Sequence, residues 1–306
     1  MPYKLPDHYP CPFCEYVAGR LEFVPLLENA TAIAEISDCE RSKDGGAILL
    51  WPKTHVETIS QLSVQEAHDV AQLIFQTMSG VLNALRPSGF HTFCSAGTLV
   101  GQSVAHVHFQ IQPRYSDRPY SLAPGPELPT ITLADRELMA ERIRPHVTDR
   151  PQEELIHQLL DFRTSRILDI GSLSSKKEFD DDLVIAETSH FVAMCHPQSR
   201  CYGAVLVIAK RDASCFLSLF PNERSDLLAL ITRITKAIES AINPDGLTVW
   251  WDTGHPANQS GLDFVAEIVP RFEKFPYKHE HRENIAIRYS KEDVDVSNLF
   301  RQYLKN

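Results

Sequence analysis

The stretch Gln102-Ser103-Val104-Ala105-His106-Val107-His108-Phe109-Gln110-Ile111-Gln112 decides how this chain is read. Side chains on a strand alternate between faces. Read as one strand, the stretch turns His106, His108, Gln110 and Gln112 to one side and Val107, Phe109 and Ile111 to the other. The apolar set can bury itself in a sheet. Same-face neighbours stand roughly 7 Å apart along a strand, so two imidazoles and an amide can act on one bound group. Two histidines on a strand face are, alone, more often incidental than catalytic. The surroundings decide.

Upstream, residues 26–36 predict two short strands about a turn, followed by a polar loop over 37–45. Ala47-Ile48-Leu49-Leu50-Trp51 is a continuous apolar run of strand length, closed by Pro52-Lys53-Thr54-His55. Ser63 and Glu66 fit a capping box. Val70, Leu73, Ile74, Thr77, Val81, Leu82 and Leu85 then make one apolar helical stripe that stops at Arg86-Pro87-Ser88-Gly89, with His68 on the helix surface. Phe90–Ser95 predicts the next strand and Ala96–Gly101 a loop feeding the histidines. Near the start, Cys11-Pro12-Phe13-Cys14 is open to both metal and redox chemistry. Pro-rich coil before it and the short Tyr16–Leu21 segment after it favour a metal, if two more ligands exist.

The histidine run, with Gln102-Ser103 before it and Pro113-Arg114-Tyr115 after it, resembles the histidine-triad (HIT) superfamily, whose motif is His-x-His-x-His. Gln110 stands where the third histidine would be, as in the transferase branch: galactose-1-phosphate uridylyltransferase and the diadenosine tetraphosphate phosphorylases. The resemblance implies zinc held by Cys11, Cys14, His55 and His106, a closed tetrahedral set of two thiolates and two imidazoles. It implies His108 as the nucleophile toward the α-phosphorus of a nucleotide, forming a covalent nucleotidyl-histidine. An amide can donate a hydrogen bond but cannot deliver a proton. Gln110 therefore suits exchange between good leaving groups, in transfer or phosphorolysis of a nucleotide sugar or dinucleoside polyphosphate, rather than hydrolysis. Ser103 matches the family's phosphoryl-contacting serine, and N–H groups around Gly101-Gln102 are expected to add to a phosphate nest. Ser95 replaces the asparagine that family members often carry eleven residues before the first motif histidine. Glu35 is expected to accept from ribose hydroxyls, as an acidic residue does in relatives.

A shift of 157 residues brings the second half onto the first: Gly46-Ala47 onto Gly203-Ala204, Lys53 onto Lys210, Glu66 onto Glu223, and Pro87-x-Gly89 onto Pro244-x-Gly246. Gln102-Ser103 meets Gln259-Ser260, and Pro113-Arg114-Tyr115 meets Pro270-Arg271-Phe272. Several motifs at one offset predict an internal duplication. The chemistry is absent from the second copy, where His55, His106, His108 and Gln110 become Asp212, Asp263, Val265 and Glu267. Packing persists there in Phe264, Ala266 and Ile268, so that copy is expected to be a scaffold shaping the pocket or a homodimer contact.

The expected fold is α+β, two tandem HIT-like units, each an antiparallel sheet with a packed long helix. The expected boundaries are a catalytic unit over 1–115, a linker with one helix (Leu133–Arg144) over 116–150, a degenerate unit over 151–280 and a tail to 306. A net charge of −10 argues against a nucleic-acid partner. No apolar run nears the roughly 18 residues of a membrane span, no signal-peptide core opens the chain, and seven scattered cysteines do not form a disulfide framework. A cytoplasmic enzyme is expected. The competing readings are a HIT-type hydrolase and a non-catalytic nucleotide-binding scaffold. His279 and His281 would be a second metal pair only against the simpler reading of a solvated tail.

Overall fold

The computed structural model describes residues 2–7, 9–37, 46–115, 132–149, 153–160, 179, 181–196, 202–254, 264–274 and 291–304. His255, Gln259, Ser260, Asp263, His279 and His281 lie outside the described residues. A short helix α1 (Pro12–Val17) leads into β1 (Pro25–Glu28), β2 (Ala32–Ile36), β3 (Ile48–Pro52), the long α2 (Val64–Leu85), β4 (Gly89–Ala96) and β5 (Phe109–Arg114). Helices α3 (Leu133–Ile143) and α4 (Glu153–Leu160) follow. The pattern then returns as β6 (Val184–Glu187), β7 (Phe191–Cys195), β8 (Val205–Ala209), α5 (Pro221–Ile242), β9 (Gly246–Thr253) and β10 (Val265–Arg271), with α6 (Lys291–Leu304) last.

All ten strands join one antiparallel sheet in the order β1-β2-β3-β5-β4-β9-β10-β8-β7-β6. The second half of that order repeats the first in mirror sequence, so the units meet through matching strands, β4 and β9. Their register pairs Phe93 with Trp250, the residue 157 positions later. The pseudo-twofold relation between the units therefore runs through this pair.

The same offset recurs in local detail. Helices α2 and α5 each have 22 residues, carry Glu66 and Glu223 at the third helical position, and end on left-handed caps at Arg86 and Asn243. Gly46 and Gly203 hold φ of +78° and +77°, and a Cβ on either would meet Leu85 or Ile242 at about the same distance, 2.5 and 2.6 Å. Only glycine adopts that conformation without strain. Helix α2 begins at Ser63, whose hydroxyl accepts from the Glu66 N–H while the Glu66 carboxylate accepts from the Ser63 N–H.

Both long helices lie on one face of the sheet, over a continuous core that takes Val70, Leu73, Ile74 and Val81 from α2, Leu227, Ile231 and Ile238 from α5, and Phe90, Phe109, Ile111 and Trp251 from the sheet. Burying each such side chain is worth about 1.5–3 kcal/mol. The helices also grip each other: Arg224 donates to the Gln72 side chain and stacks 3.5 Å from the Phe75 ring centroid, and His68 meets the Ser225 hydroxyl at 2.6 Å. Tyr3 and Ser60 both donate to the Glu239 carboxylate on α5, at 2.6 and 2.7 Å.

Helix α3, in the stretch read as a linker, packs on the first unit and buries Ala140 and Ile143 in the core. Helix α6, in the stretch read as a tail, likewise buries Val296 and Phe300. They match at the same offset. Arg144 donates to the Pro25 carbonyl of β1, and Arg301 to the Val184 carbonyl of β6. Each helix thus packs on its own unit.

Candidate metal centre and nucleophile

The histidines do not sit on the strand. Strand β5 starts at Phe109, where its ladders with β3 and β4 end at Leu50 and Cys94 although those strands run on to Pro52 and Ala96. Beyond it the chain turns: the His106 N–H donates to the Val104 carbonyl and the Val107 N–H to the Val56 carbonyl. The alternation nevertheless survives, with Val107, Phe109 and Ile111 in the helix-side core. His106 and His108 face a smaller aromatic cluster built on Phe13, Ile33 and Trp51.

The structure brings Cys11, Cys14, His55 and His106 together, one ligand atom from each lying within 4.8 Å of all the others. Cys11 Sγ is 3.4 Å and Cys14 Sγ 3.8 Å from His106 Nδ1, and Cys14 Sγ is 3.3 Å from His55 Nδ1. Ligands at tetrahedral zinc–sulfur and zinc–nitrogen bond lengths are about 3.3–3.8 Å from one another, so the four donors fit such an ion. The elements explain the convergence. Cys11 caps α1 and Cys14 lies on its first turn, His55 follows the end of β3, and His106 reaches back to that same strand end. Its Nε2 is 2.8 Å from the Pro52 carbonyl. A carbonyl only accepts, so Nε2 carries the proton and the Nδ1 lone pair faces the sulfurs. Burial, the largest cause, pushes the His106 pKa down to about 4, so the ring is neutral as a ligand must be. Burial, with Cys11 beside it, pushes the Cys14 thiol up to about 11. A divalent cation would bring the Cys14 thiol back down, since the thiolate and not the thiol is the metal ligand.

His108 is held the same way with its nitrogens exchanged. Nδ1 is 2.8 Å from the His106 carbonyl and therefore carries the proton, which leaves Nε2 with a bare lone pair. Burial pushes its pKa down, which keeps the ring neutral. Its ring lies edge-on to Phe13 at 5.4 Å, and Phe13 stacks on Trp51 at 4.5 Å and 17°. The ring is only 6% exposed, on the sheet face away from the long helices. Gln110, half-buried on that face, stands between Leu49 of β3 and Phe93 of β4.

Three expected substrate contacts are placed otherwise. The Gln102 side chain is buried and satisfied at both ends, its oxygen accepting from the Gly97 N–H and its nitrogen donating to the Glu57 carbonyl. It braces the loop instead of meeting a ligand. The Gly101 and Gln102 N–H groups are committed to the Thr98 and Gly97 carbonyls, so they are not donors to a phosphate. Glu35 is 3% exposed and paired with Arg136 of α3 at 2.7 Å, while Arg136 also donates to the Ile36 carbonyl. It is a buried ion pair, not an open acceptor. Ser103 is exposed at the turn before the histidines, and Ser95 is half-buried on β4, beside the start of β5. Sequence reasoning missed Phe13, whose ring packs against both His106 and His108, although it lies inside the Cys-x-x-Cys element. It also missed Arg136, for which no local motif exists.

Fold and site together define a protein of two tandem α+β units, one carrying a Cys/His cluster that could hold a metal beside a tautomer-fixed histidine, and one without such a cluster among the described residues. The HIT domain profile matches residues 38–117 and again 176–262, more than half of the chain, and the protein belongs to the HIT domain family. It is 30% identical over 130 residues to adenosine 5'-monophosphoramidase hnt1 of Schizosaccharomyces pombe, covering 42% of this chain and 91% of that protein. It is 29% identical over 105 residues to Protein hit of Bacillus subtilis, covering 34% and 71%. Among solved structures, a uridylyltransferase superposes with TM-score 0.58 at 13% identity, covering 91% of this chain and 86% of that one. An ADP-glucose phosphorylase from Arabidopsis thaliana with bound ADP-glucose superposes with TM-score 0.57 at 15% identity, covering 97% and 91%. At such identities these two structures speak for the fold.

Proposed function

We propose that the protein is a zinc-containing nucleotidyltransferase or phosphorylase that passes a nucleoside monophosphate from a nucleotide sugar or dinucleoside polyphosphate to phosphate or a sugar phosphate. The observation that carries this is the His108 Nδ1 hydrogen bond to the His106 carbonyl, which leaves Nε2 bare and neutral. In the first step Nε2 attacks the α-phosphorus. The bond to the leaving-group oxygen breaks, its electron pair departs with that oxygen, and a nucleotidyl–nitrogen bond forms. In the second step an acceptor oxygen attacks the same phosphorus and the electron pair of the phosphorus–nitrogen bond returns to Nε2. Gln110 donates from its amide to a phosphoryl or bridging oxygen and moves no proton. Ser103 and Ser95 supply hydroxyls to the phosphoryl group. Zinc at Cys11, Cys14, His55 and His106 is structural: a closed four-ligand set leaves no position for substrate. It fixes His106, and through the His106 carbonyl it orients His108.

In this reading the second unit descends from a duplication and lost its chemistry. Similarity to a phosphoramidase supports hydrolysis as a second reading, but Gln110 cannot protonate a poor leaving group such as an amine. The test is incubation with a panel of radiolabelled nucleotides and nucleotide sugars, followed by denaturation. Label that stays on the protein and is discharged by phosphate or a sugar phosphate supports transfer. Turnover with water as fast as with any acceptor, and no retained label, refutes it.

A further inference from the structure

We infer that Glu239, on α5 of the unit without histidines, is a positioning residue for the nucleophile: its carboxylate ties down the two segments from which the loop carrying His106 and His108 hangs. The inference rests on the transfer reading above, whose nucleophile it concerns, and says what the other unit contributes to it.

A carboxylate withdrawn from water needs hydrogen-bond donors. The half-buried Glu239 takes two, both from the first unit. The Tyr3 hydroxyl donates to Oε1 at 2.6 Å and the Ser60 hydroxyl to Oε2 at 2.7 Å. Having given its proton to Glu239, the Ser60 oxygen accepts from the Thr58 hydroxyl at 2.9 Å. The repeat does not reciprocate this contact. Leu82 stands at the position of Glu239 and Leu217 at that of Ser60, and both are buried in the core. Packing alone is thus served by leucine at these positions. The polar tie runs one way, from the unit without histidines to the unit that has them.

Each tied segment holds the loop between β4 and β5. Next to Tyr3, the Lys4 carbonyl accepts from the Thr98 N–H at 2.8 Å. Shortly before Ser60, the Glu57 carbonyl accepts from the Gln102 side chain at 2.8 Å and the Val56 carbonyl from the Val107 N–H at 2.7 Å. The last bond matters most. A peptide unit is planar, so the Val107 N–H and the His106 carbonyl are opposite ends of one rigid plate. Val56 holds one end, and the other accepts from His108 Nδ1 at 2.8 Å. Turning the plate would withdraw the acceptor that keeps the proton on Nδ1 and the lone pair on Nε2. Glu239 therefore reaches the reacting nitrogen through Ser60, Val56 and a single peptide plane.

The second unit also blocks the loop from behind. A Cβ on Gly246, the first residue of β9, would stand 3.0 Å from Val100, and one on Gly97 would stand 3.1 Å from the Asp245 carbonyl. The loop is pressed against β9 on one side and held by the tied segments on the other. Such bracing bears on rate, because an attacking atom misplaced by about 1 Å can cost about a hundredfold.

Two readouts on the full chain test this, using three variants. Glu239→Leu installs the residue found one repeat earlier, Glu239→Gln keeps an oxygen for one hydroxyl and an N–H for the other, and Ser60→Ala cuts one tie alone. The first readout is heteronuclear NMR of the histidine rings, with the His108 signals assigned by their loss in His108→Ala. Wild type should show a protonated Nδ1 and a bare Nε2. In Glu239→Leu and Ser60→Ala that ring N–H should exchange with water about tenfold faster, because the loop opens more often, while Glu239→Gln should match wild type. The second readout is the rate of His108 labelling by radiolabelled diadenosine tetraphosphate and ADP-glucose. Its maximal rate should fall about tenfold or more in Glu239→Leu with the half-saturating donor concentration nearly unchanged, and Glu239→Gln should restore most of it. Unchanged ring exchange in the folded variants overturns the inference, as does a loss confined to donor affinity. If Glu239→Leu does not fold, Ser60→Ala decides by the same criteria. Absence of labelling in wild type would count against the transfer reading, while the ring spectra still judge the role of Glu239.

Discussion

Removing the Tyr3 hydroxyl (Tyr3→Phe) tests the latch between the units. Tyr3 and Ser60 donate to the Glu239 carboxylate at 2.6 and 2.7 Å, and the same N-terminal segment accepts at the Lys4 carbonyl from the Thr98 N–H of the loop that feeds the histidines. Burial raises the Glu239 pKa, while the Tyr3 and Ser60 hydroxyls pull it back down. Burial and the adjacent carboxylate also push the Tyr3 phenol up, so it remains a donor throughout. A carboxyl with a higher pKa folded than unfolded binds more protons in the folded state. Its contribution to stability therefore falls as pH rises from about 4.3, the unfolded value, through the raised folded value. Tyr3→Phe raises that folded value further, so the variant must lose more as pH increases. A hydrogen bond to the neutral acid is worth about 1 kcal/mol and one to the carboxylate about 1.5–3 kcal/mol. Urea unfolding of both proteins should show a deficit of about 1 kcal/mol near pH 4.5, growing to about 2 kcal/mol near pH 7.5. Taking the difference between variant and wild type cancels the remaining carboxyls. A deficit that is flat with pH, or shrinks, refutes the reasoning.

Three further outcomes follow from the same geometry. Gly46→Ala and Gly203→Ala should cost similar amounts, about 2–4 kcal/mol each, since both combine a left-handed backbone with a Cβ against a helix terminus; denaturant midpoints that differ widely would break the equivalence of the units. Metal analysis of protein grown with zinc should find one ion per chain, lost in Cys14→Ser with a lowered Tm, and a metal-free chain of unchanged Tm would contradict the four-ligand cluster. Gln110→His should raise hydrolysis relative to transfer by an order of magnitude or more, because an imidazole can protonate a leaving group and admit water as acceptor; an unchanged ratio, read from product analysis, would remove Gln110 from the specificity argument.

Much of the fold is legible in the sequence because the strongest signals are local. Ser63 and Glu66 mark the start of α2, Pro52 the end of β3, and the offset from Gly46 to Gly203 carries the second unit with it. The four residues that could hold a metal are legible by residue type and by resemblance. The strand containing the histidines is misplaced by periodicity alone: alternation continues through Val107 while the ladder has already ended, since the His106 and Val107 N–H groups go to the Val104 and Val56 carbonyls and not to β3 or β4. Gln102 and Glu35 are expected at the substrate from the resemblance to a family, which carries no account of their surroundings; their partners, Gly97, Glu57 and Arg136, are set by tertiary packing. Helix α3 is expected over Leu133–Arg144 and found over Leu133–Ile143, whereas its counterpart α6 is recognised only through Arg144 and Arg301, which stand at the repeat's own spacing.

The most direct measurement of the central claim is mass spectrometric mapping of the protein after brief exposure to its nucleotide donor and quenching at alkaline pH, where a phosphorus–nitrogen bond survives. The account predicts one nucleoside monophosphate on the peptide containing His108, attached to that ring, and none in a folded His108→Ala variant. A catalytically competent wild-type enzyme with no adduct, or with one on another residue, would contradict it.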